Sequence, residues 1–130
     1  MALVNFTHHG LSMHPLLRPE DILLVETEFG SIDVGDIVLF KDDECGDYVA
    51  HRVVALDSFT TKGDNSPFDE QTKRDHVLGI VVGRIRYGKT KVWGLSGTSF
   101  KKVKVFLSRL YHNKYAWIFR GFFKLLSRLI

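Results

Sequence analysis

One cysteine, three prolines and no acidic residue after Asp75 are the scarcities of this 130-residue chain. A lone cysteine excludes an internal disulfide, so the core must hold the fold. Cys45 stands in Asp42-Asp43-Glu44-Cys45-Gly46-Asp47. Negative neighbours keep a thiol protonated, which predicts an unreactive surface-loop residue. No apolar run reaches about 18 residues, so a bilayer-spanning helix is not expected. Met1-Ala2-Leu3-Val4-Asn5-Phe6 has neither the basic start nor the long apolar stretch of a secretory signal. No Cys/His/Asp set has zinc-site spacing. His8 and His9 are adjacent, so a strand would send them to opposite faces, and His14 stands apart. We therefore expect no metal and no cofactor, with these histidines exposed to solvent.

The acid shortage is one-sided. Residues 1–75 hold all 15 acidic residues and 6 of the 18 Lys/Arg, and residues 76–130 hold the other 12 with no acid. Such asymmetry points to an anionic partner for the second part, or to attraction between the two parts. No helix-turn-helix or aromatic RNA-binding signature accompanies the basic part, so nucleic acid is not expected as a partner. Apolar residues at 45% and charged residues at 25% fit a single globular domain with its own core.

The middle of the chain reads as β. Ile22-Leu23-Leu24-Val25 and Ile37-Val38-Leu39-Phe40 are short apolar runs announced by turn residues. Tyr48 to Leu56 is longer and rich in β-branched residues. Segments 77–87 and 90–95 carry Gly79, Gly83 and Gly88, which suit bulges or turns. Strands at roughly ten-residue spacing predict a mainly β domain over residues 1–100, a sandwich or partly open barrel. Residues 101–130 read as a basic helical extension of that domain, broken near His112-Asn113. From Lys114 on, Tyr115, Ile118, Phe119, Phe122, Leu126 and Ile130 share one helical face, and Arg120, Lys124 and Arg128 form a stripe beside it. A helix of this kind lies in an anionic membrane surface, or packs its apolar face on the β core.

Five short blocks carry chemistry. They are Gly10-Leu11-Ser12-Met13-His14-Pro15, Gly35-Asp36-Ile37-Val38, His51-Arg52-Val53-Val54, Thr61-Lys62-Gly63-Asp64-Asn65 and Leu78-Gly79. A serine hydroxyl is barely nucleophilic near neutral pH without a base in hydrogen-bond reach. The base in turn needs an acceptor on its other nitrogen. Ser12, His51 and an acid from the Thr61–Asp69 loop supply these types. Lys62 could replace the histidine only if buried, and its neighbours Gly63-Asp64 suggest an exposed turn.

In order and approximate spacing, these blocks resemble the type I signal peptidases, in the serine–histidine branch of the endoplasmic-reticulum enzymes. The likeness spans about residues 10–86. It implies antiparallel β-sheets and a serine endopeptidase cleaving an extended signal or leader peptide with small side chains near the cut. It implies Ser12 as nucleophile, His51 as general base, and Asp69 or Asp64 as the orienting acid. By spacing the acid falls on Glu70, so the three stay open. Gly10, Met13 and Pro15 would border the oxyanion and substrate, with the Ser12 N–H as oxyanion donor. Gly10 stands where some relatives have a hydroxyl donor. Relatives usually begin with a membrane anchor, and none is expected from residues 1–6 as they stand. The resemblance thus implies a peptide or preprotein substrate and a membrane-associated protein, peripheral through Tyr115–Ile130 or through an anchor now missing. A cytoplasmic setting is the alternative. A non-catalytic peptide- or membrane-binding module on the same fold is the rival class.

Overall fold

The structure, a computed structural model, describes residues 2–44 and 46–93. Cys45 and the helical segment expected over 101–130 lie outside the described residues. Eight strands form one open antiparallel sheet: β1 (Leu3–Thr7), β2 (Ile22–Glu26), β3 (Ile37–Lys41), β4 (Tyr48–Ala55), β5 (Thr60–Lys62), β6 (Asp69–Gln71), β7 (Val77–Arg86) and β8 (Lys89–Val92). Their order is β1-β2-β7-β3-β4-β5-β6, with β8 paired to β7. The only helical turn among the described residues is a 3₁₀ turn at Arg74–His76.

The central strand β3 explains its own sequence. Ile37 and Leu39 enter one core cluster with Leu23, Val25, Ala50 and Val81. Val38 and Phe40 enter a second with Val53 and Phe59 on the opposite face. A strand buried on both faces reads as an unbroken apolar run. Burying these side chains is the main stabilisation of the fold, at about 25 cal/mol per Å² of apolar surface.

The first cluster also captures the turn that follows β1. Met13, Leu16 and Leu17 are almost wholly buried in it. Arg84 and Arg86 of β7 fasten the turn from outside, both donating to the Leu16 carbonyl, at 2.7 and 3.2 Å. Arg86 also makes a two-pronged pair with buried Asp21, at 2.8 and 2.7 Å. Here the basic half of the sequence meets the acidic half inside the fold.

The sheet curls. Phe6 of β1 and Tyr48 of β4 are four places apart in the strand order, yet their rings are 5.4 Å apart. Two unpaired strand edges therefore face each other. β1 pairs only with β2 among the described strands. β4 pairs with β5 only from Arg52 onward, which leaves Tyr48–Ala50 open on that side.

Candidate active site

Ser12 sits in the turn between β1 and β2, partly exposed, with buried Met13 directly behind it. Gly10 precedes it at φ +82°, in the left-handed region that glycine enters without strain, and the space beside it is open. The turn that carries Ser12 is clamped by the loop after β5. The Asn65 N–H donates to the Ser12 carbonyl at 2.7 Å, and the Asn65 side chain to the Leu11 carbonyl at 3.0 Å. The Asp64 N–H donates to the Met13 sulfur at 3.3 Å.

His51 brings Nε2 to 3.1 Å from Ser12 Oγ. The two residues come from elements 39 positions apart, joined through the sheet. In β4 the alternation puts Ala50 in the first core cluster and His51 on the other face, edge-on to Phe40 with ring centroids 5.9 Å apart. Burial of the ring, which disfavours the imidazolium, pulls the His51 pKa down to about 4. The Asp64 charge opposes that shift without overcoming it. His51 is thus neutral near pH 7, able to take a proton from Ser12.

The strand register separates the three acids by face. Val53 pairs with Thr61 and Thr61 with Glu70, so these side chains share the face of His51. Arg52 pairs with Lys62 and Lys62 with Asp69, which puts Asp69 on the opposite face. Asp64 is bound elsewhere. It is fully buried and grips Arg52, Nε to Oδ1 at 2.8 Å and the second prong at 2.7 Å. Glu70 Oε2 stands 3.6 Å from His51 Nδ1. That is close enough for charge to matter and too long for a hydrogen bond. Nδ1 has no hydrogen-bond partner among the described residues, and the Glu70 side chain is half exposed. Burial raises the Glu70 pKa, helped by the charges of Asp42 and Glu44.

Other expectations change on the structure. Met13 and Pro15 are buried and support the turn from beneath, so they do not border an open substrate site. Lys62 is buried, where a turn exposure was expected, and its ammonium donates to the Gly63 carbonyl at 3.0 Å. His9 is exposed as expected, but His8 is buried. No group of three metal-ligating side chains occurs among the described residues.

Gly63 is a site residue that the sequence presented only as part of a turn. A Cβ there would lie 2.7 Å from the Ser12 carbonyl oxygen, 3.0 Å from Ser12 Cβ and 3.2 Å from His51 Nε2. Backbone cannot yield cheaply at such a distance. Gly63→Ala should therefore push the Ser12 turn away from His51, and if the pair is catalytic it should lower kcat/KM by about 10²-fold, as displacements near 1 Å do. A steady-state assay checks this, and an unchanged rate would mean that the contact does not position Ser12.

Beside Ser12 a cleft of about 310 Å³ runs between the two open strand edges, lined by Phe6, Thr7, His8 and His9 from one side and Asp47–Ala50 from the other, with Leu39 as floor. No family model, curated protein or solved structure matches the chain, so any function must be argued from these residues and their geometry.

Proposed function

We propose that this protein is a serine endopeptidase, acting on an extended peptide in the manner of the type I signal peptidases that its sequence blocks resemble. The observation that carries the reading is the 3.1 Å approach of His51 Nε2 to Ser12 Oγ, beside an open cleft. In this reading the peptide lies along the free edges of β1 and β4 and adds to the sheet through its main chain. His51 takes the Ser12 proton as Oγ attacks the scissile carbonyl, then delivers it to the leaving amine. The resulting imidazolium is stabilised by Glu70 at Nδ1 and more distantly by Asp64. The Ser12 N–H is the oxyanion donor. Water then releases the acyl group by the reverse of the same proton path.

The membrane part of the proposal rests on residues 115–130, outside the described region. No helix among the described residues is long and apolar enough to cross a bilayer. A peripheral contact through the apolar face and the stripe of Arg120, Lys124 and Arg128 is the form of association proposed.

The pH profile tests the base. The free enzyme must hold His51 neutral, so kcat/KM falls as pH drops through the His51 pKa. Burial has moved that pKa to about 4. We expect a flat profile from about pH 6 to 8 and an acid limb well below the ~6.5 of an ordinary imidazole. Protonation of Glu70, whose pKa is raised, deepens the same limb. A limb centred near 6.5 would contradict the burial of His51. A rate that keeps rising above pH 8 and is lost in Lys62→Ala would transfer the role of base to Lys62.

A further inference from the structure

The β7–β8 hairpin sets four cations on one face of the sheet. Arg84 lies directly across from Lys91, and Arg86 across from Lys89. Directly opposed residues share a face, and so do residues two apart along a strand. Like charges opposed in this way, about 5 Å apart, repel one another. The acid bonded to this group is Asp21, and Arg86 takes both of its oxygens. Arg84 is turned inward, 7% exposed, and donates to the Leu16 carbonyl. The outer pair is left to solvent, with Lys89 exposed and Lys91 partly so. Burial and the charges of Arg84 and Arg86 hold the Lys91 ammonium below its ordinary pKa. No acid follows Asp75 in the sequence to balance these lysines locally.

An external anion relieves repulsion that the fold itself leaves standing. Two further residues indicate its kind. Tyr87, at the hairpin tip, is 91% exposed, and Val92 of β8 is 59% exposed. A tyrosine ring suits the headgroup layer of a bilayer, where its apolar body and polar tip are both satisfied. An exposed valine gains there too, and gains nothing on a phosphate backbone. One ring is also less than the row of aromatics on which successive bases stack. The chain runs on from β8 to Lys101, Lys102 and Lys104, again without an acid. We propose that the β7–β8 hairpin is a docking surface for an anionic membrane, with Lys89 and Lys91 against the headgroups and Tyr87 among them. The proposal rests on the membrane association proposed above, adds a contact separate from residues 115–130, and is independent of Ser12.

The test is co-sedimentation of the full chain with phosphatidylcholine vesicles, with and without phosphatidylserine. Binding should need phosphatidylserine and weaken with salt. Replacing both lysines, Lys89→Gln with Lys91→Gln, should lower the affinity about 25-fold, since each charge at an anionic surface contributes about 5-fold. Thermal unfolding of that variant should stay level or rise, because two like-charge pairs are gone. Lys89→Arg with Lys91→Arg keeps the charge and should bind as the wild type does. Tyr87→Ser should weaken vesicle binding with the lysines intact. Unchanged affinity in the double glutamine variant overturns the proposal. So does a duplex oligonucleotide bound more tightly than the vesicles and lost in the same variant. Replacing Arg120, Lys124 and Arg128 together by Gln separates this contact from the C-terminal one. Binding lost there but kept in the hairpin variant overturns the hairpin and leaves residues 115–130. The reverse pattern overturns residues 115–130 and leaves the hairpin. No vesicle binding by the wild type overturns both.

Discussion

Ser12→Ala should lower peptide cleavage by at least about 10³-fold while leaving the fold nearly as stable as before. The separation follows from where the residue's contacts lie. The turn is held by Met13, Leu16 and Leu17 in the core, by the Asn65 N–H on the Ser12 carbonyl, and by Arg84 and Arg86 on the Leu16 carbonyl. None of these uses the hydroxyl. Alanine removes Oγ and leaves His51 Nε2 without its partner, a loss of about 1 kcal/mol in stability. Thermal unfolding and cleavage measured on the same preparation check both halves. A large stability loss would mean that the Ser12–His51 contact is a structural bond of the turn.

Asp64→Ala should destabilise the protein by roughly 3–5 kcal/mol, because it leaves the Arg52 guanidinium buried without its counter-charge. Arg52 is 1% exposed and Asp64 wholly buried. The remaining bond, from the guanidinium to the Gly35 carbonyl at 2.8 Å, cannot replace a two-pronged carboxylate. Replacing both residues with apolar ones of similar volume should restore much of the loss. Urea unfolding of the single and double variants measures it. Activity would fall with the Asp64 variant too, since the same loop clamps Ser12 and Met13. The decisive contrast is Glu70→Gln, which should reduce cleavage without a comparable stability change because Glu70 is half exposed. A stable, fully active Asp64→Ala protein would contradict the structural role assigned to the pair.

Much of this was legible in the residues, and the failures have physical causes. The apolar runs at 22–25, 37–40 and 48–56 correspond to β2, β3 and β4 within one residue at each end. Segment 77–87 corresponds to β7 and the start of segment 90–95 to β8, which ends at Val92, with Tyr87 and Gly88 joining them, both at positive φ. The strands β5 and β6 escaped notice because three residues such as Thr60–Lys62 or Asp69–Gln71 carry no usable period. β1 passed unread because Leu3 to Thr7 is mostly exposed and lacks strict alternation. At the site, Ser12 and His51 were legible as a hydroxyl and an imidazole suited to pair, but their meeting depends on a curled sheet. Asp69 and Glu70 differ by one residue, and only the register through Thr61 tells which shares the face of His51. Lys62 and His8 looked like surface residues because their burial comes from segments distant in sequence.

The most direct measurement of the central claim is acid-quench mass spectrometry with an activated peptide ester, whose acyl transfer to the enzyme outruns hydrolysis. An acyl group should appear in stoichiometric amount on the peptide containing Ser12, should be absent from Ser12→Ala, and should form at least about 10²-fold more slowly in His51→Ala. An acyl group on another residue, or cleavage that persists in Ser12→Ala, would contradict it.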